Sequence, residues 1–287
     1  MNSSENTVSD KLEKSLLDIR IPPRPAILDR IKEEAGREEP NFIILSKLIA
    51  EDVGLSAGLI KTANSPYFGF SRKLTTVQEA LLALGLDVAS KAVAGVSLRN
   101  ALPKSPALER FWFSSAHVAR LSGWLVRELD FKSIRPDDAY TYALFRDCGI
   151  PILLSHFVGY YDVLSEANFE TLVNFTAVED RHLPTNHAAV GALLAQSWYL
   201  SDDTSNAIRH HHDSDDIIQP SKTLTNSSLQ LVALAQLSEY LLQKNTGLCH
   251  TEEWLKLGNT CMQILDITDA EIELMSADAD KIIKTSL

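Results

Sequence analysis

The sequence predicts an all-α fold. Apolar residues recur at three- and four-residue spacing between glycine and proline breaks, the period of a helix with one buried face. No segment alternates apolar and polar residues for long enough to make a strand. No Asn-Gly or Asp-Gly hairpin signal occurs.

The elements follow in chain order. In NFIILSKLIAEDVGLSAGLIKTAN, Ile43, Ile44, Leu48 and Ile49, then Leu55, Leu59 and Ile60, mark two helices with a break at Asp52–Gly54. NSPYFGF (Asn64–Phe70) is an aromatic turn that stops the second. In TTVQEALLALG, Thr76 and Glu79 stand in capping-box spacing before the stripe Ala80, Leu81 and Leu84, and Gly85 is placed to end the helix. ALPKSPALER (101–110) is a boundary, because Pro103 and Pro106 bracket a turn-forming pair. It divides an N-terminal helical lobe, 1–105, from a larger helical lobe, 106–287, expected to form one compact unit. Central helices are predicted over 107–129, 136–157 and 224–244, the second broken at Gly149-Ile150-Pro151. Thr268 and Glu271 repeat the capping-box signal near the end. The tryptophans Trp112, Trp124, Trp198 and Trp254 fall in helical patterns as core residues.

Composition narrows the function classes. The 287 residues are 45% hydrophobic and 23% charged, a globular profile. No apolar run long enough to span a bilayer is expected, and MNSSENTVSDKLEK lacks the pattern of a secretory signal. Cys148, Cys249 and Cys261 form no CxxC pair, which disfavours a zinc ribbon or disulfide framework and suits a reducing cytoplasm. The net charge of −11 disfavours broad nucleic-acid binding, because the lysines and arginines are scattered. GLSAG and FGF lack the context of a phosphate loop, and there is no GxSxG elbow.

One motif invites metal chemistry. IRHHHD (Ile208–Asp213) sets His210, His211 and His212 in a row, and His187 lies upstream. Successive histidines on a helix fan out, so they cannot all face one ion. Capping or packing is the alternative role. Asp213, Asp215 and Asp216 form an acidic loop behind them.

Several stretches, in order, resemble the HDOD family of bacterial signalling domains, related to HD-type metal-dependent phosphohydrolases. They are IPPRP (Ile21–Pro25), IAEDVGLSAGLIKTANSPYFG (Ile49–Gly69), TTVQEALLALG (Thr75–Gly85), Phe111-Trp112, ALFRDCGI (Ala143–Ile150), NHAAVGALLAQSW (Asn186–Trp198) and IRHHHD. The chain departs from the pattern at Val53, where the family usually has proline. The resemblance implies a compact multi-helix HD-like domain that serves as a regulatory or output module.

It also implies where the HD ligands would stand. The His-Asp doublet falls at Arg146-Asp147, the first histidine at Ser114 and the final aspartate at Gln236. Arginine has no lone pair to give a metal and stays charged, and a hydroxyl or amide is a poor replacement for imidazole or carboxylate. His117, nearly one turn after Ser114, is the best displaced ligand. Asp147 alone survives, so the expected site is a vestigial one of Ser114, Arg146, Asp147, His187, His210, His211 and Gln236. Arg146 is expected to supply the missing positive charge beside Asp147 and acids such as Glu179. No catalytic residue and no cofactor are assigned. The alternative is a phosphohydrolase holding a divalent metal on Asp147, His187, His210 and His211. The expected partner is a signalling protein in the cytoplasm, with an anionic ligand or nucleotide near Arg146 as a further possibility. No membrane partner is expected.

Overall fold

A computed structural model describes residue 19 and residues 21–102, 105–248 and 250–284. The readings placed on 1–18, Pro103, Lys104 and Cys249 lie outside these residues. The described residues form helices and no strand.

The first group comprises α1 (Ala26–Ala35), α2 (Phe42–Ala50), α3 (Val53–Ala63) and α4 (Val77–Ala101). Asn41 and Asp52 cap α2 and α3 by accepting backbone N–H bonds. The capping box at Thr76 and Glu79 is complete: each side chain accepts from the other residue's backbone N–H. Gly85 breaks α4 with φ 73° and ψ 166°, a conformation that suits glycine, and a second helical stretch resumes beyond it. By length and composition α4 could cross a membrane, a feature the sequence reading passed over. Here Ala89, Val93 and Leu98 from its second half are core residues.

The second group starts with α5 (Pro106–Glu128), capped by Ser105 with Pro106 at its first position. Next come α6 (Pro136–Phe145), α7 (Gly149–His156), α8 (Tyr160–Phe169), α9 (Phe175–His182), α10 (His187–Ser197) and α11 (Asp202–His210). The short α12 (Ser214–Ile218), then α13 (Asn226–Thr246), α14 (Glu253–Leu265) and α15 (Asp269–Lys284) complete the chain. The α6–α7 break falls over Arg146–Cys148, just before the expected position. Pro151 is instead the third residue of α7, where a backbone N–H has no intrahelical partner to lose.

Helix α13 is the axis. Thirteen of its residues are buried, and it packs against α5, α6, α11, α14 and α15. The first group joins through α4, which packs against α6, and one apolar core runs from Ile19 to Ile283. At roughly 1.5–3 kcal/mol for each fully buried large apolar side chain, this shared core is the main force holding the groups together.

The opening proline motif has a definite seat. Trp198 Nε1 donates to the Pro22 carbonyl at 3.1 Å, and Arg24 Nη1 donates to the Ser197 carbonyl at 2.5 Å. The Arg24 guanidinium also lies 3.9 Å from the centre of the Tyr199 ring. Residues 22–24 are thereby tied to the C-terminal end of α10. In the aromatic turn, the Asn64 amide donates to the Ile60 and Leu74 carbonyls and accepts the Leu74 N–H at 2.8 Å. That closes the loop as a helix stop.

Candidate functional site: a histidine cluster beside a buried arginine

Three helix ends converge on one place. Asp147 lies in the link between α6 and α7. His187 is the first residue of α10, whose start is fixed by Asn186 accepting the Ala189 N–H at 2.9 Å. His211 and His212 follow the end of α11. Gly149 allows the close approach: a Cβ on it would stand 2.1 Å from the His187 carbonyl oxygen. Only glycine lets the start of α7 lie against the start of α10.

Each histidine is held at its Nδ1. His187 Nδ1 lies 2.7 Å from Glu179 Oε2, His211 Nδ1 2.8 Å from the Ile208 carbonyl, and His212 Nδ1 2.6 Å from Glu253 Oε2. At its other nitrogen, His211 Nε2 lies 3.3 Å from His187 Nε2 and 3.1 Å from Asp147 Oδ1. One ligand atom from each of Asp147, His187, His211 and His212 lies within 4.8 Å of the others.

Glu179 is fully buried and well satisfied. It accepts from the Tyr160 hydroxyl, from His187 Nδ1 and, at 3.3 Å, from the His187 backbone N–H. Burial alone would lower the His187 pKa, but the Glu179 carboxylate outweighs it and raises it. Burial, reinforced by His212, pushes His211 down to about 3, so it is neutral at pH 7.

The other oxygen of Asp147 belongs to arginine. Arg146 Nε and Nη2 donate to Asp147 Oδ2 at 3.1 and 2.8 Å, and Nη2 also donates to Glu239 Oε1 at 2.9 Å. Arg146 Nη1 reaches Gln236 Oε1 at 3.4 Å. Burial would raise the Asp147 pKa, but Arg146 and the histidines overcome it and hold the carboxyl well below the usual range. Burial dominates at Glu239 and raises its pKa, with Arg146 opposing.

Ser114, Arg146, Asp147, His212 and Glu239 line a cavity of about 380 Å³, so the positions implied by the resemblance do share one site. His187, His211 and Gln236 stand behind that wall, buried. His210 does not belong. It turns outward, pairs with Asp216 at 2.8 Å and groups with Asp213 and Asp216. His212 takes the place expected of His210, because the chain turns inward after α11. The three aspartates are not a free loop either: Asp213 caps α12 by accepting the Asp216 N–H. His117 lies elsewhere, with Nδ1 2.7 Å from the Phe113 carbonyl, in the wall of a different cavity. Glu179 is not a partner of Arg146; Glu239 is. Glu239 lies three residues after Gln236, on the same helix face, and that spacing was its signal in the sequence. Cys148 is buried, with a thiol pKa pushed far up by desolvation.

The donor set fits a single divalent ion. Three imidazoles and one carboxylate are a common set for zinc-like metals. Outer partners that fix each ring, two of them carboxylates, are the usual support of metal-binding histidines. A second ion beside Asp147 Oδ2 does not fit, because the Arg146 cation is already bonded there.

Comparison with known proteins agrees with this architecture. A crystal structure of an HDOD domain protein of unknown function from Geobacter sulfurreducens superposes with a TM-score of 0.68 at 19% identity, covering 99% of each chain. A candidate phosphohydrolase from Shewanella amazonensis SB2B gives 0.65 at 18% identity, covering 96% of this chain and 98% of that one. At such identities the likeness concerns the fold. An uncharacterized protein of Treponema pallidum (strain Nichols) is 25% identical over 219 residues, 74% of this chain. The chain spans only 42% of that relative's length. The family model for the HDOD domain matches residues 21–214, from the proline motif docked on α10 through the histidine row. With that match laid over a helical fold whose ordered motifs meet at one site, the chain belongs to the HDOD domain family.

Proposed function

We propose that the chain is a regulatory or output module of bacterial signal transduction, without catalytic activity, that acts in the cytoplasm by binding another protein. The observation that carries this is Arg146. Its guanidinium occupies Asp147 Oδ2 and Glu239 together, at the position where the resemblance places a metal-binding histidine. A site with a fixed cation there lacks room for the ion pair that clamps a phosphoryl group in two-metal hydrolysis. Support for a protein partner comes from α8 and its flanks. Val158, Tyr161, Phe169 and Leu172 are exposed large apolar residues, and Tyr161 also lines the cavity that Asp147 faces.

A second reading rests on the histidine cluster. Asp147, His187, His211 and His212 would hold a single divalent ion. The chemistry such an ion supplies is polarisation of a phosphoryl oxygen and acidification of a bound water. Glu179 and Glu253 would orient two of the rings, and Arg146 would face the anionic part of a phosphate ester. Under this reading the chain is a metal-dependent phosphohydrolase.

Phosphodiesterase and phosphomonoesterase assays in manganese and in magnesium, on untagged protein, decide between them. The regulatory reading expects no turnover above a protein-free control. Turnover that Asp147→Ala abolishes would overturn it and establish the hydrolase.

A further inference from the structure

A second cavity, of about 530 Å³, lies between the two helix groups. Helices α3 and α4 form one side, α5 and α6 the other. It is distinct from the histidine site, and the mechanism proposed above makes no use of it.

Its chemistry is unusual for a packing defect. Arg120, on α5, enters its wall. The Nε and Nη2 atoms of Arg120 are buried and have no protein hydrogen-bond partner among the described residues. Nor does any ion pair engage this guanidinium among those residues. Glu109, which lines the same cavity, is held by Arg99 at 2.7 Å. Burial lowers the Arg120 pKa, and the opposing influence comes from the Tyr140 phenol rather than a carboxylate. Arg120 as a whole is only half-buried, but guanidinium nitrogens that are buried normally meet an acid or a ring of carbonyls, because burying unpaired donors of a charged group is costly.

Two further donors face the same space. The Ser65 hydroxyl is buried without a partner among the described residues, and it lines this cavity. Lys61, one turn earlier on α3, also lines it and forms no ion pair among the described residues. The rest of the wall is mixed: Val96 from α4, Leu144 from α6 and Trp112 from α5 are apolar, while Thr62, Asn100 and the Arg99–Glu109 pair are polar. Unpaired cationic and hydroxyl donors beside apolar side chains are the complement of an anionic head group on a flat or apolar body. The volume falls in the range of small-molecule sites and is ample for a mononucleotide.

We infer that the cavity between the helix groups is a binding site for a small organic anion of up to mononucleotide size, whose phosphate or carboxylate is held by Arg120 and Ser65. Its placement suggests what binding does. Leu144 and Tyr140 belong to α6, and Arg146 follows the end of that helix. Occupancy therefore bears on the helix that delivers Arg146 and Asp147 to the histidine site. The binding claim itself is independent of whether that site is regulatory or hydrolytic.

The test is calorimetric titration of the full chain with adenosine monophosphate, guanosine monophosphate and citrate, with adenosine as the uncharged control, in chelator. Wild type should bind at least one of the three anions saturably and adenosine far more weakly. Arg120→Met should weaken that binding at least about tenfold, the loss of a charge-assisted pair. Ser65→Ala should weaken it by about threefold or more. His212→Ala should leave it unchanged. In ligand-free buffer Arg120→Met should melt no lower than wild type, because it removes an uncompensated cation. The inference is overturned if none of the three anions binds, or if Arg120→Met binds them as wild type does. It is equally overturned if Arg120→Met melts well below wild type or fails to fold, since the guanidinium would then be satisfied by the protein.

Discussion

Replacing Arg146 with methionine keeps the side chain's length and removes its charge. In the folded protein that guanidinium makes two bonds to Asp147 and one to Glu239, and its side chain is only 5% exposed. Arg146→Met leaves two acids side by side without their shared cation. Removing one partner of a buried ion pair costs about 3–5 kcal/mol. Packing adds little, because methionine fills most of the stem's volume. At roughly 2 °C per kcal/mol for a chain of this size, the melting temperature should fall by about 6–10 °C. Thermal and urea denaturation followed by circular dichroism would read both quantities. Adding Glu239→Gln to the methionine variant should restore at least about 1 kcal/mol, because one orphaned charge is then gone. A loss below about 1 kcal/mol, with no recovery in the double variant, would refute the idea that Arg146 compensates these acids.

Four other outcomes follow from the geometry. Gly149→Ala forces a Cβ against the His187 carbonyl, so α7 and α10 must separate; a loss of several kcal/mol is expected, about 3 or more, and crystallography of any folded product should show the two helix starts apart. Under the single-ion reading, His212→Ala should abolish tight binding of zinc or manganese, measured by calorimetry on untagged protein, whereas His210→Ala should leave it intact; equal effects would contradict the inward turn at His212. Thr76→Ala should cost about 1 kcal/mol by loss of the α4 cap. The Glu79 carboxyl in the same box accepts from the Thr75 backbone and from Arg72, which lower its pKa to about 2. Its folded pKa is below the unfolded one, so its contribution is present above about pH 4.5 and lost as pH falls toward 2. Denaturation of wild type and Glu79→Gln should therefore converge across that window and differ above it.

The helices were legible in the sequence because their signals are local. The Thr76–Glu79 and Thr268–Glu271 boxes, the Ser105-Pro106 start and the Gly85 break are each written within a few residues. The site was legible in part. Ser114, Arg146, Asp147 and Gln236 could be located by the order of motifs, and they do meet. Which histidines turn inward was not legible, since three identical residues in a row carry no phase once the helix ends. Glu239 and Glu253 were missed for a different reason. Their importance lies in contacts across 93 and 41 residues, to Arg146 and His212. The α6–α7 break was displaced because a proline in the first turn of a helix looks, in sequence, like one that stops it.

The docking of Pro22 and Arg24 has a mechanical side. Both seize the C-terminal end of α10, and His187 is the first residue at its other end. Eleven helical residues make a rod of about 16 Å. The residues at 22–24 and the histidine cluster are thus the two ends of one stiff lever. Tension on the N-terminal segment is delivered to His187 without passing through any loop. Trimming the chain before Ala26 would therefore unfasten one end of the part that sets the site's geometry.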